Sequence, residues 1–122
     1  MNVGIDFDDT ITHNPEFFRE LTASLHRAGD RTYIISSHTK ADEPIADRIF
    51  TEKTRMLREY GITYAELQLV VEPIPENKAK ACRDHNIRFM IDNDPENVEE
   101  ISRLSRGTVC MQYINSTSGT QH

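Results

Sequence analysis

Val3-Gly4-Ile5-Asp6-Phe7-Asp8-Asp9-Thr10 is an apolar strand that runs straight into three carboxylates and a threonine. Acidic side chains this close repel one another, and at the mouth of a buried strand they also lose solvation. Folding gives no reason for such a cluster, so a bound cation is the expected compensation. Outward from this stretch, strands and helices alternate. Residues 2–7 read as a first strand. Asn14-Pro15-Glu16 then opens a helix with a cap, a proline at the first helical position and an acid in the first turn; Phe17 or Phe18, Leu21 and Leu25 form its apolar face and Gly29 ends it. The β-branched run 32–36 is a second strand of the kind buried in a parallel sheet. A longer helix spans 44–60, with Ile45, Ile49, Met56, Leu57 and Tyr60 at helical spacing and Gly61 closing it. Residues 67–71 form a third strand, 76–85 a third helix, 88–91 a fourth strand, Asp94-Pro95-Glu96 another helix start, and 108–113 a fifth strand. This order predicts a single-domain three-layer α/β/α sandwich on a five-stranded parallel, Rossmann-like sheet. Residues 1–114 form its core, and 115–122 read as a frayed tail.

Length and composition fit that architecture. A chain of 122 residues suits one core, and 37% hydrophobic with 28% charged residues describes a globular protein. No apolar run approaches the roughly 20 residues that cross a bilayer, so no membrane partner is expected. The N-terminus lacks the basic start and apolar stretch of a secretory signal, which points to the cytoplasm. Cys82 and Cys110 show neither Cys-x-x-Cys pairing nor zinc spacing and read as structural thiols. A net charge of −6 disfavours nonspecific attraction to nucleic acid backbones.

In open α/β sheets ligands bind beyond the carboxyl ends of the strands. That rim gathers Asp6 and Asp8 after the first strand, Ser36 after the second, Glu72 after the third, and Asp92 and Asp94 after the fourth. Lys78, near the start of the third helix, lies at the same edge. Oxygen ligands suit a hard cation, while a lysine and a hydroxyl suit phosphoryl oxygens.

The sequence Asp6-Phe7-Asp8-Asp9-Thr10 resembles the first motif, Asp-x-Asp-x-Thr, of the haloacid dehalogenase (HAD) superfamily of phosphohydrolases. Tyr33-Ile34-Ile35-Ser36 is similar to its second motif, Lys78 to its third, and Met90-Ile91-Asp92-Asn93-Asp94-Pro95-Glu96-Asn97 to its fourth. The resemblance implies a magnesium-dependent phosphomonoester hydrolase. In it Asp6 is the nucleophile of a phosphoaspartyl intermediate and Asp8 is general acid and then base. Thr10 steadies the turn, Ser36 and Ser37 lie on the phosphate side, and Lys78 neutralises charge. Mg2+ is held by Asp6, the Asp8 carbonyl and Asp92, with Asn93 and Asp94 as further candidate site residues and His38 as a candidate substrate contact. Asn93 stands where relatives often carry a second acid, and Ser37-His38 where they often carry Gly-Arg. No insertion large enough for a cap domain separates these motifs, so the resemblance is to the capless branch. An open site implies a phosphorylated ligand, a small molecule or nucleotide before a macromolecular end, or a homo-oligomer that supplies a lid.

Plainer roles stand beside these. Asp94 and Glu96 suit a helix N-terminus as well as a metal. Lys78 and Lys80 point to nearly opposite sides of one helix, and Lys78 is nearer the rim. Glu72, His13 and His38 read as loop residues, and the charged stretch 48–59, with Glu52 and Lys53, as a solvated helix face. A receiver-like phospho-acceptor domain has a similar fold, but its acceptor aspartate would follow the third strand, where Glu72 stands. A noncatalytic phosphate- or partner-binding domain is the remaining alternative.

Overall fold

The computed structural model describes residues 1–115; the rest of the expected tail, 116–122, lies outside the described residues. Five parallel strands, β1 (Asn2–Asp6), β2 (Arg31–Ser37), β3 (Glu66–Val70), β4 (Ile87–Asp92) and β5 (Val109–Gln112), are ordered β3-β2-β1-β4-β5. The helices are α1 (Pro15–Arg27), α2 (Ala46–Tyr60), α3 (Ile74–Asp84) and α4 (Pro95–Leu104). Only a wide turn, Phe7–Ile11, and α1 separate β1 from β2; only a 3-10 turn, Lys40–Ile45, and α2 separate β2 from β3. No cap domain is inserted. Among the described residues, no helix is long and apolar enough to cross a membrane.

Alternation along the strands builds one core on each face of the sheet. Val3, Ile5 and Ile34 pack with Phe18, Leu57 and Ile62 on the α1 and α2 side. Tyr33, Ile35 and Met90 pack with Ala79, Cys82 and Ile101 on the α3 and α4 side. Gly4 points to the second face, where a Cβ would lie 2.6 Å from the Met90 sulfur. Glycine at the centre of β1 thus lets β4 and its side chains close in.

Capping fixes where the helices begin. Asn14 accepts from the Phe17 N–H at 3.2 Å, and Asp94 accepts from the Glu96 N–H at 2.9 Å, so Asp94 is an N-cap. Gly61, at φ +74°, closes α2 in the left-handed conformation. The helix expected from Pro44 starts later. Pro44 lies inside the 3-10 turn, and regular α-helix begins at Ala46. The helix expected from Glu76 starts earlier, at Ile74, with Pro75 in its first turn. The fifth strand is shorter than expected, because the sheet ladder with β4 ends at Gln112.

Candidate functional site

The sheet order reverses between β1 and β4, so the crevice at their carboxyl ends is the switch point where ligands bind in this architecture. Asp6 ends β1 and Asp92 ends β4. Lys78 reaches between them from α3, its Nζ 2.6 Å from Asp6 Oδ1 and 2.8 Å from Asp92 Oδ2. All three are buried, and Lys78 is only 1% exposed. Lys80 instead lies on the surface and pairs with Asp84. The wide turn after β1 is fixed by Thr10, whose hydroxyl donates to Asp6 Oδ2 at 3.0 Å, and by Thr12, which accepts from the Asp9 N–H at 2.8 Å. Asp9 sits exposed at φ +61°, a conformation short polar side chains tolerate. Behind Asp92, the Asp94 N–H donates to Oδ1 at 2.9 Å, and the Asn97 amide lies 3.4 Å from both carboxylate oxygens.

Two carboxylates share one ammonium, and the imbalance appears in the protonation of Asp6. Burial pushes the Asp6 carboxyl up to about 6; Lys78 opposes the rise and Asp92 adds to it. Burial disfavours the charge on Lys78, but Asp6 and Asp92 together outweigh it and hold the ammonium above its ordinary range. The crevice therefore carries a net negative charge beside a preformed cation. A free phosphate would be repelled by it, whereas a phosphate arriving with a divalent cation would not.

The residues present suit such a cation. The Asn93 amide faces Asp6 Oδ2 at 2.9 Å and the Asp8 carbonyl oxygen at 3.3 Å. Turned nitrogen inward, it donates to both. Turned oxygen inward, the three oxygens repel unless a cation draws them together. Neighbouring ligands of an octahedral Mg2+ lie about 2.9 Å apart, close to this spacing. Among the described residues no three His, Cys, Asp or Glu side chains converge to hold a metal by themselves. Mg2+ commonly takes one or two carboxylates and keeps several waters, so Asp6 and the Asp8 carbonyl would meet its needs, and Asn93 would join them on turning its amide oxygen inward.

The Asp8 side chain turns elsewhere. It is 60% exposed, and its Oδ2 accepts from Lys53 Nζ at 3.1 Å. Lys53 was expected on a solvated face of α2; it is buried instead. Its ammonium also donates to the Ser36 hydroxyl and to the Ser37 carbonyl, and lies 5.3 Å from the centre of the Phe7 ring. The signal was in the sequence: Lys53 stands four residues after Ile49 and four before Leu57, inside the apolar stripe. The remaining rim residues have local partners. His38, expected in an exposed loop, is buried with Nε2 2.6 Å from Glu43. His13 Nδ1 meets the Tyr113 hydroxyl at 2.6 Å, and Glu72 accepts from the Lys40 N–H at 2.9 Å. Glu96 lies exposed in the first turn of α4.

No protein-family model matches this chain, and no curated protein matches it in sequence. Solved structures match in fold. A universal stress protein in complex with cAMP aligns over 95% of this chain and 98% of its own, at a TM-score of 0.62 and 13% identity. The universal stress protein from Archaeoglobus fulgidus in complex with dAMP aligns over 92% and 98%, at 0.59 and 12%. A chain of the Pnkp1/Rnl/Hen1 complex aligns over 93% of this chain but 45% of its own, at 0.66 and 16%. At these identities the likeness is one of fold.

These matches overturn the assignment to a capless HAD phosphohydrolase. Universal stress proteins align over nearly their whole length, two of them in complex with nucleotides. The expected enzyme, a magnesium-dependent hydrolase or phosphatase with Asp6 as nucleophile and Asp8 as general acid and base, falls with that assignment, as do the receiver-like and HAD-like alternatives. The physical reason lies in how short the motifs are. A parallel α/β sheet delivers strand-end aspartates, a serine and a helix-borne lysine to one rim whatever the site does there. Both Asp6 oxygens accept hydrogen bonds, from Lys78 and Thr10, and the Asp8 carboxylate is ion-paired with Lys53.

Proposed function

We propose that this chain is a nucleotide-binding domain that holds the ligand's phosphate at the β1/β4 crevice through a divalent cation, Mg2+ in the first instance. The observation that carries the reading is the crevice itself: two buried carboxylates on one ammonium, with the Asn93 amide and the Asp8 carbonyl set 3.3 Å apart beside Asp6. Asp6, the Asp8 carbonyl and Asn93 would hold the ion, and Asp92 adds negative charge from the far side of Lys78. When bound, the cation supplies positive charge to phosphate oxygens. The chain's own residues orient those oxygens, with the Ser36 hydroxyl and the Lys78 ammonium as donors. The neighbours in complex with cAMP and dAMP support a small nucleotide as the ligand class.

Titration calorimetry with AMP, cAMP and ATP, each in Mg2+ and in EDTA, tests this. Binding in Mg2+ that weakens about tenfold or more in EDTA is the expected result. No binding of any of the three in Mg2+ would refute it.

A further inference from the structure

A groove of about 470 Å3 opens along α2 beside the crevice, with Phe7, Ile49 and Met56 in its apolar lining and Arg48, Glu52 and the Lys53–Asp8 pair in its charged lining. Its volume lies in the range of small-ligand sites. Lys53 is the unusual member. An ammonium on the apolar stripe of a helix loses solvation, and an apolar residue of similar size would suit a purely structural role. Its carboxylate partner does not seal it, since the Asp8 side chain is 60% exposed. The ammonium is instead held at a fixed point by the Ser36 hydroxyl, above the Phe7 ring, with one exchangeable anionic partner facing solvent.

We infer that Lys53 is the ligand's anion anchor and that the α2 groove takes the ligand's nucleoside. A phosphate oxygen takes the place of Asp8 on Lys53, and the flat apolar body lies on Ile49 and Met56. Charge complementarity selects this occupant: Glu52 is already paired with Arg55, so once Asp8 is displaced the buried Lys53 ammonium and Arg48 beside the apolar lining fit a molecule that is apolar at one end and anionic at the other. The inference rests on the nucleotide-binding reading and adds to it a location and an orientation.

The test measures AMP and inorganic phosphate affinity, in Mg2+, for wild type, Lys53→Met, Ile49→Glu and Phe50→Glu; Phe50 lines a separate hollow on α2. Circular dichroism and melting temperature confirm the fold of each. Lys53→Met should weaken both ligands about tenfold or more, the loss expected for a charged hydrogen bond. Ile49→Glu should narrow the AMP-to-phosphate affinity ratio by a similar factor, and Phe50→Glu should match wild type. AMP binding unchanged in both Lys53→Met and Ile49→Glu would overturn the inference while leaving the nucleotide reading intact. So would an Ile49→Glu effect confined to a concentration-dependent dimer, which would make the groove a contact between copies. Wild type that binds neither AMP nor any other nucleotide would overturn both. If Lys53→Met does not fold, Ile49→Glu decides alone.

Discussion

Replacing Lys78 with methionine keeps the length of the side chain and removes the ammonium from between two buried carboxylates. The structure sets the size of the effect. Lys78 Nζ lies 2.6 Å from Asp6 and 2.8 Å from Asp92, and the three side chains are between 0% and 7% exposed, so water cannot take over the lost role. Breaking a buried charge cluster by removing one partner costs about 3–5 kcal/mol, because the remaining charges are left uncompensated. A domain of this size is stable by roughly 5–15 kcal/mol, so the variant should fold but melt roughly 10–20 °C lower. Its stability should also recover as pH falls. With Lys78 gone, only the Thr10 hydrogen bond still opposes the burial and the Asp92 charge that already raise the Asp6 carboxyl to about 6. The folded variant then takes up a proton that the unfolded chain has released.

Urea denaturation in EDTA at pH 5 and pH 7.5, together with the double variant Asp6→Asn/Lys78→Met, measures this. The double variant should regain at least about half of the loss at pH 7.5, since only Asp92 remains charged and it keeps the Asp94 N–H and Asn97 as donors. A Lys78→Met variant within about 1 kcal/mol of wild type at pH 7.5 would refute the account, since that is the range of an exposed ion pair. A double variant less stable than Lys78→Met would refute it as well.

Asp6→Asn alone should stabilise the cation-free protein. A folded value of about 6 against 3.8 for the free side chain corresponds to at most ~3 kcal/mol. Folding stability from this group is fully present below pH 3.8 and lost as pH rises to about 6, so the variant's advantage over wild type should grow across that window in EDTA melts and then level off. An equal difference at pH 3.5 and pH 7 would contradict it. Gly4→Ala should cost about 1–3 kcal/mol in urea titrations, because the new methyl would meet the buried Met90 sulfur at 2.6 Å. A neutral result would mean that Met90 repacks freely.

Much of the fold was legible because its signals are local. Apolar runs at residues 2–6 and 31–37 cannot be amphipathic helices, and Asn14-Pro15 and Asp94-Pro95 announce helix starts that the side-chain caps then make. Pro44 misled because proline at a first helical position and proline inside a 3-10 turn look alike without the turn's hydrogen bonds. The convergence of Asp6, Lys78 and Asp92 also followed from sequence, since strand order and rim position need no side-chain detail. Lys53 and His38 did not, and for opposite reasons. Lys53 sits among charged neighbours that suggest a solvated face, although its spacing from Ile49 and Leu57 turns it inward. His38 sits after a strand where a loop is expected, but its backbone N–H continues the ladder to the Val70 carbonyl and draws the ring under cover.

The misassigned activity has a similar origin. Carboxylates, a lysine and hydroxyls at a sheet's carboxyl edge are what phosphate binding needs with a metal, and phosphate chemistry starts from the same groups. Here Asp6 has both oxygens engaged by donors and Asp8 is ion-paired to a buried lysine of α2. Lys53 therefore joins the crevice of β1 and β4 to the groove of α2 through a single ammonium. A ligand that takes Asp8's place on that ammonium would touch both, which makes α2, outside every motif the sequence displayed, the element where its identity is decided.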